Sequence, residues 1–509
     1  MKWLNAVIKT AFNQHLKKVQ YTIEHPIATQ NKVWKQLLRQ GAATQWGKKY
    51  GLTTQSSLEQ VKECMPLQSY ESLYPWIERM LHGERNVLCP GNVQQFSRSS
   101  GTSSQKSKYL PVPRQNLKGC HLRGSHDAMA FWIHNYPASR LFDNTRSIVM
   151  GGNIDWFDAR KQTQVGDVSA LMLDNAPFYG AYFITPDIPT ALLANWEEKI
   201  ERIARIALHQ NIGSLSGVPT WTLVLLKRIL ELSGQEHLSA VFPNLEVYNH
   251  GGVDFAPYRS QFQALFPNHP IQYRNNYNAS EGFFAAQFFE QDSGMHLLVD
   301  NGVFYEFIPK AEWGKEHPST LTLEEVEIGV DYALVISTNA GLWRYQIGDT
   351  LQFTELRPYQ IQITGRTQQF INVFGEEVMV WNAERALQQT CQQLDALVSN
   401  FTVAPVFMAQ QQAQGGHEWA VEFEQCPKDL ARFQQLLDQN LQAINSDYQA
   451  KRQHNLALQE LKLHRVTQGT FHQWLRKHNK YGGQHKVPRL SNERQTLEEI
   501  LALSTQLIH

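Results

Sequence analysis

Cysteine is scarce in this chain. The 509 residues hold five, at positions 64, 89, 120, 391 and 426, with no C-x-x-C pair. Odd in number and scattered, they exclude a disulfide framework and a thiolate zinc site, and they suit a reducing cytoplasm. An excess of charge of one sign is also missing. Lys plus Arg and Asp plus Glu both total 47, so no overall field draws nucleic acid or an anionic membrane. No apolar run approaches the roughly 20 residues that span a bilayer. The opening stretch, MKWLNAVIKTAFNQHLKKVQ, interrupts its apolar positions with Asn5, Lys9 and Asn13, so it reads as an amphipathic helix and not as a signal peptide. These absences leave a cytoplasmic protein with neither nucleic acid nor membrane as partner.

What is present is enough chain for two or three cores, with 42% apolar and 18% charged residues. Residues 1–50 have helical periodicity. From about 88 to 380, short apolar runs alternate with amphipathic stretches, the pattern of an α/β domain. In NWEEKIERIARIAL, Ile200, Ile203, Ala204 and Ala207 recur at helical spacing. In LLVDNGVFYEF, Asn301-Gly302 predicts a tight hairpin turn between two strands. The run DYALVIST (331–338) predicts a further strand. The last third turns glutamine-rich: FTVAPVFMA and HEWAVEFE bracket the polar QQQAQGG, followed by a helical segment at 427–445, a strand-like LKLHRV and a helix-like FHQWLRKH. The composition shifts near 366–370. The expected organisation is therefore a large α/β domain, 1–367, followed by a small α+β domain, 368–509.

Five segments carry chemistry. Ser99-Ser100-Gly101-Thr102-Ser103-Ser104, with Lys106 and Lys108 after it, offers the backbone N–H groups, hydroxyls and ammonium groups that wrap a phosphate. A flexible surface loop has the same composition, and the Walker spacing is absent. Tyr277-Asn278-Ala279-Ser280-Glu281-Gly282 combines a ring that stacks on a purine, a hydroxyl and a carboxylate able to hold Mg²⁺; a core tyrosine and a surface glutamate at a strand end would look the same. Trp343-Arg344-Tyr345-Gln346-Ile347-Gly348-Asp349 places an aspartate after a glycine, suited to ribose hydroxyls and equally to an ordinary turn. Gly365-Arg366-Thr367-Gln368-Gln369-Phe370, running on to Phe374-Gly375-Glu376-Glu377-Val378, falls at the compositional boundary. Gly482-Gly483-Gln484-His485-Lys486-Val487-Pro488-Arg489 carries a Gly-flanked lysine that is, taken alone, a solvated charge.

In this order and at these separations the five segments resemble the adenylate-forming superfamily, and within it the Gretchen Hagen auxin-responsive family of acyl acid amido synthetases and its bacterial relatives. SRSSGTSSQKSK looks like that family's phosphate loop, YNASEG like its tyrosine–serine–glutamate motif, YQIGD like its ribose motif, GRTQQFINVFGEEV like its hinge and QHKVPR like its catalytic-lysine segment. GVPTWTLVLLKRIL (217–230) and NHGGVDF (249–255), the latter with Gly251 and Gly252, look familial too. Gln105 stands where a glycine is usual in the phosphate loop, and Gln368 where the superfamily's hinge often has Asp or Lys.

The resemblance implies a large N-terminal adenylate-forming domain of α/β layers and a small mobile C-terminal α+β domain, monomeric, using ATP and Mg²⁺. It implies phosphate contacts from Ser99, Ser100, Gly101, Thr102 and Ser103, with Lys108 nearby. It sets Tyr277 against adenine, Ser280 near the α-phosphate and Gly251 and Gly252 beside the nucleotide. Glu281 would hold the metal, Asp349 the ribose and Arg366 the nucleotide, while Lys486 would serve as the catalytic lysine. The implied substrates are a small-molecule carboxylic acid, activated as its acyl-AMP, and an amino acid that receives the acyl group. A ligase with a CoA thiol as acceptor, and a nucleotide-binding relative without turnover, are the alternatives. The acyl pocket is expected among residues 120–185. His121, His126 and His134 match no zinc spacing.

Overall fold

The structure, a computed structural model, describes residues 2–506 apart from 100–107, 161, 253–254, 290, 368–369, 372–377, 407–414, 446–447, 450–451, 453–457, 481–485 and 492. The chain divides into two compact units. One comprises Met1–Val253, Gln261–Ile347 and Leu351–Ile363; the other comprises Asp254–Ser260, Gly348–Thr350 and Thr364–His509.

The first unit opens with helices Lys2–Glu24, Pro26–Gly41, Gln45–Lys49, Leu58–Cys64 and Tyr70–Leu81. Local chemistry sets their starts. Pro26 occupies the first turn of its helix, where its missing N–H has no partner to lose. Ser57 and Ser69 close capping boxes with Gln60 and Ser72, each satisfying two otherwise orphaned donors. Behind these helices, Trp46, Trp343, Tyr305, Phe307 and Phe353 pack into one apolar core. Each side chain of that size contributes about 1.5–3 kcal/mol on leaving water.

Two sheets complete this unit. The smaller runs Lys108–Pro111, Gln95–Ser99, Thr163–Gly166, Ile154–Asp158. The larger runs Val303–Pro309, Asp331–Thr338, Tyr345–Leu356, Tyr359–Arg366, Met295–Leu297, Gly282–Ala286, Gln272–Ala279, Val247–Gly251, Ile212–Gly217, Arg146–Val149, Ile184–Thr185. Its last five strands pair in parallel. Helices Trp196–Ala207 and Pro219–Ser233 lie between successive strands of that block, as parallel connections require. The direction reverses at Ser280-Glu281, beyond which Gly282–Ala286 is antiparallel to Gln272–Ala279.

The hairpin expected at Asn301-Gly302 does not form. Met295–Leu297 pairs with Gly282–Ala286 and Tyr359–Arg366, whereas Val303–Pro309 pairs with Asp331–Thr338. Gly302 alone takes a positive φ, +77°, and the fully buried Asn301 turns its amide inward to donate to the Phe283 carbonyl. The turn signal was genuine, but the strands on either side of it found better-matched partners farther along the chain.

The second unit is built on a three-stranded sheet, Leu397–Val406, Gly416–Gln425, Lys462–Val466. The first pair is antiparallel, with Val403 opposite Trp419; the second is parallel. Helices Val380–Leu394 and Leu430–Ile444 cover it through Ala386, Leu387, Phe433, Leu437 and Leu441, packed with Trp419 and Val421. Thr470–Lys477 and Gln495–Gln506 enclose a smaller cluster around Phe471, Trp474 and Ile500. The first five residues of the polar QQQAQGG stretch, 410–414, fall outside the described residues. Among the described residues no helix is long and apolar enough to cross a membrane.

Candidate active site

In open α/β sheets the carboxyl ends of parallel strands leave a crevice in which ligands bind. In the first unit those ends are Val149, Gly217, Gly251 and Ala279, followed in the chain by Met150-Gly151-Gly152, Val218, Gly252 and Ser280-Glu281. Glycine at Gly251 is required by close approach: a Cβ there would sit 2.3 Å from the Asn276 carbonyl oxygen on the neighbouring strand. Gly252 follows with φ +79°, a conformation in which an L side chain is strained. Gly251 therefore packs bare backbone against Asn276, on the strand that runs on to Ser280 and Glu281.

Ser280 is 6% exposed and Glu281 is half-buried in the turn. Tyr277, two residues inside the strand, is 9% exposed. Its ring packs edge-on against Phe284, centroids 5.0 Å apart, so much of it belongs to the core.

The strands on either side of the hydroxyl-rich segment, Gln95–Ser99 and Lys108–Pro111, pair antiparallel. Ser99 ends one strand, Lys108 begins the next, and the two are register partners. Ser100, Gly101, Thr102 and Ser103 lie outside the described residues, as do Gln105 and Lys106. The Lys108 ammonium stands 5.4 Å from the Tyr70 ring centre, within cation–π range.

A set of residues around Arg98, in the strand Gln95–Ser99, had almost no sequence signal. Arg98 donates to Asp155 Oδ2 at 3.0 Å and Asn153 Oδ1 at 2.9 Å. The Gly151-Gly152 backbone preceding Asn153 is held by Lys199, whose Nζ donates to both carbonyls at 2.8 Å. Burial, offset in part by Asp167, lowers the Lys199 ammonium to about 8. Asp167 occupies the space beside Gly152 so closely that a Cβ there would fall 1.5 Å from its Oδ2. Burial raises its carboxyl pKa despite Arg98. The Gly151-Gly152 pair shortly after the strand Arg146–Val149 is the one trace of this arrangement in the sequence.

The second unit brings three of the expected residues together. Arg366 Nε donates to Asp349 Oδ1 at 2.7 Å. Asp349 follows Gly348, which takes φ +86°, and the Gly348 carbonyl accepts from Thr367 N at 2.8 Å. Thr364 and Thr350 share a hydroxyl hydrogen bond at 3.0 Å. Lys486 lies in the same electrostatic neighbourhood. Desolvation, Arg366 and Arg489 lower its ammonium to about 8, against the pull of Glu384 and Asp349. The residue is exposed, so repulsion from Arg366 and Arg489 outweighs burial as the cause.

The stretch after Lys486 is tied to the sheet of this unit. Thr402 donates to the Pro488 carbonyl at 2.7 Å, and Val403 N to the Arg489 carbonyl at 2.9 Å. The Arg489 guanidinium stacks on Phe401 and donates to the Tyr258 hydroxyl at 3.0 Å. Residues 368–369 and 482–485, which include the expected hinge glutamine and the glycines before the lysine, lie outside the described residues.

Arg344, five residues before Asp349, turns inward. At 5% exposure and φ +44° it donates to both Glu306 oxygens and to the Met65 carbonyl. Thr320 completes the cluster by donating to Glu306 Oε1 at 2.7 Å.

Three family models match the chain in order: the GH3 family N-terminal domain over 15–144 and 152–271, the GH3 family central domain over 296–366, and the GH3 family C-terminal domain over 381–495. The chain belongs to the GH3 family. Among curated GH3 proteins, indole-3-acetic acid-amido synthetase GH3.3 of Arabidopsis thaliana is 24% identical over 386 residues, which span 64% of this chain and 64% of that protein. Jasmonoyl--L-amino acid synthetase JAR6 of Nicotiana attenuata is 21% identical over 96% of this chain and 95% of its own length. The GH3 fold is shared with the solved AtGH3.15 acyl acid amido synthetase in complex with 2,4-DB, at TM-score 0.78 and 16% identity, covering 97% of this chain and 96% of that one. A 2-hydroxyisobutyryl-CoA ligase in its postadenylation state matches at TM-score 0.54 and 13% identity, covering 99% and 92%. This GH3 chain therefore has the α/β architecture of the adenylate-forming enzymes.

Proposed function

We propose that this protein is an ATP-dependent acyl acid amido synthetase. It adenylates a small-molecule carboxylic acid with release of pyrophosphate, then passes the acyl group to the amine of an amino acid. The observation that carries the reading is the cluster in the second unit: an aspartate fixed by Arg366, with Lys486 in the same charged neighbourhood.

A carboxylate resists nucleophilic attack because of its charge. In the first half-reaction one of its oxygens attacks the α-phosphorus of ATP, and the bond to the β,γ-bridged pyrophosphate breaks. Negative charge gathers on phosphate oxygens, and the Lys486 ammonium is the fixed cation assigned to them, in place before the charge develops. Asp349 takes the ribose hydroxyls, and Arg366 holds Asp349. Ser280 faces the α-phosphate, Tyr277 the adenine, Gly251 and Gly252 the nucleotide, and Ser99 to Ser103 with Lys108 the outer phosphates.

Mg²⁺ fits the donor set. Among the described residues no group of three or more His, Cys, Asp or Glu is arranged to hold a metal ion; one carboxylate, Glu281, stands in the turn. Mg²⁺ is commonly held by one or two carboxylates plus substrate phosphates and water. It supplies charge neutralisation on the phosphates when bound. In the second half-reaction the amine attacks the acyl carbon, AMP leaves with the bonding pair, and the amine proton passes to solvent.

The division into a large part, 1–367, and a small part carrying Lys486, 368–509, belongs to this proposal. So do a monomeric state, partners limited to small molecules, and a cytoplasmic location, which the free thiols of all five cysteines suit. The test is acid-dependent ATP–pyrophosphate exchange over a panel of carboxylic acids, followed by product mass spectrometry with amino acids or CoA added. An amide is expected. A thioester alone would make the protein a CoA ligase, and no exchange with any acid would make it a nucleotide-binding relative.

A further inference from the structure

Among the buried polar side chains that the proposed chemistry leaves unused, His121 lies beside the segment assigned to the nucleotide. His121 closes a π-helical turn, Leu117–His121, that leads into helix Leu122–Asn135. Such turns are rare and are found frequently at functional sites. Two glycines press this helix onto the strand after Glu281. A Cβ on Gly124 would lie 2.5 Å from the Phe283 ring, and one on Gly282 would lie 2.8 Å from the Phe284 ring and 3.1 Å from Cys120 Sγ. The close packing seats His121 against Asn278, with Nδ1 3.1 Å from Oδ1.

That contact fixes the tautomer. The Asn278 amide nitrogen points to Met172 Sδ at 3.5 Å, and a thioether only accepts. Turning the amide over would aim its oxygen at that sulfur and leave both without a donor. Asn278 therefore presents its oxygen to the imidazole, Nδ1 carries the proton and donates it, and Nε2 keeps a bare lone pair. No group of the described residues reaches Nε2, although the residue is 0% exposed. A buried acceptor left unsatisfied is costly, so the position calls for a donor from outside the chain. Burial, only partly offset by the Asn278 bond, lowers the imidazole to about 4. It is therefore neutral at working pH and does not clamp a carboxylate. The donor it takes is a neutral hydroxyl or N–H.

Asn278 belongs to the same segment as Tyr277, Ser280 and Glu281, which the proposed function gives to the nucleotide. What is bound beside that segment, and is not nucleotide, is the acid. We infer that His121 determines acyl specificity: its Nε2 accepts a hydrogen bond from a hydroxyl or N–H on the acyl acid, so the substrates are carboxylic acids bearing such a donor. The inference rests on the adenylation reading and narrows its substrate class.

Matched acids test it: hydroxyphenylacetate against fluorophenylacetate, indole-3-acetate against benzofuran-3-acetate, and hydroxylated against plain aliphatic acids. The wild-type enzyme is expected to favour the donor-bearing member of the pair that fits by about 100-fold or more in kcat/KM for pyrophosphate release, since a polar site left unpaired rejects the analogue strongly. His121→Phe should bring that ratio close to one, and His121→Gln, which keeps an acceptor, should restore part of it. A wild-type enzyme that treats both members alike, or a His121→Phe variant that keeps the preference, overturns the inference and leaves the lone pair to a bound water. If no acid releases pyrophosphate, the adenylation reading fails by itself. Calorimetric binding of the same pairs to the wild-type protein then decides the role of His121: donor-selective binding upholds it, and equal or absent binding overturns it.

Discussion

The Arg366 guanidinium and the Asp349 carboxylate meet at 2.7 Å, Nε to Oδ1, with the aspartate side chain 9% exposed and the arginine side chain 38% exposed. The pair points a carboxylate from a strand interior, where Gly348 has bent the backbone, and caps it with a cation from the strand that follows. Because the arginine is more than a third exposed, its loss should cost little stability, within about 1 kcal/mol. The effect should appear in nucleotide binding: Arg366→Ala is expected to raise the KM for ATP about tenfold with an unchanged melting temperature, and Arg366→Lys should recover only part of it, since the planar fork is lost. An unaltered KM would separate this pair from the nucleotide.

Lys486→Ala should slow ATP–pyrophosphate exchange by roughly 10²–10³, the usual cost of removing one preorganised charge. The ammonium is lowered to about 8 from 10.5, so the charged form is lost, and exchange should fall, as pH rises through about 8. Lys486→Arg, which stays charged, should move that limb upward. The sign for stability is the opposite of a salt bridge. A depressed lysine is harder to charge in the folded state than in the unfolded chain, so its deletion should not destabilise the protein at neutral pH. Exchange in the Ala variant at the parental rate, or a wild-type profile flat from pH 7 to 9, would remove Lys486 from the reaction.

The buried pair Arg344–Glu306 is structural. Replacing Glu306 by Gln leaves a guanidinium buried beside Thr320 without its counter-charge. Breaking such pairs typically costs about 3–5 kcal/mol. Denaturant unfolding of Glu306→Gln should show a loss of that order, and the double variant Glu306→Leu/Arg344→Met should be more stable than Glu306→Gln. A double variant less stable than the single would show the pair to be worth more than its desolvation.

Gly251→Ala adds one carbon where the Asn276 carbonyl oxygen lies 2.3 Å away. The strands must part at the end that leads to Ser280 and Glu281. ATP kcat/KM should fall at least tenfold, on the order of 1.4 kcal/mol or more. A variant with native kinetics would show that this strand end can spread without consequence.

How much of this was legible depended on how local each cause was. Trp196–Ala207 announced itself through apolar spacing, and the Leu397–Val406 and Gly416–Gln425 strands through two apolar runs around a polar stretch, because each burial pattern repeats within a few residues. Asn301-Gly302 was equally local and misled, because a turn dipeptide says nothing about which strand its neighbour prefers: Val303–Pro309 aligns over seven residues with Asp331–Thr338. Lys199 at the Gly151-Gly152 carbonyls, Arg98 on Asn153 and Arg344 on Glu306 join positions about 40 to 55 residues apart, and no spacing rule reaches that far. In the sequence His121 was one of three histidines whose spacing matches no zinc site. Its meaning lies in Asn278, 157 residues away, and in which nitrogen that contact leaves bare. The grouping of Gly348–Thr350 with the C-terminal residues is of the same kind: three residues inside a strand whose flanks belong to the other unit.

The most direct test of the central claim follows the oxygen atoms. A carboxylic acid that supports exchange, labelled with ¹⁸O in both carboxylate positions, is incubated with ATP, Mg²⁺ and an amino acid, and the phosphorus products are weighed by mass spectrometry. If the acyl group passes through an adenylate, one ¹⁸O per turnover must appear in AMP and none in pyrophosphate. Label in inorganic phosphate, with ADP as the other product, would mean an acyl phosphate and would contradict the account.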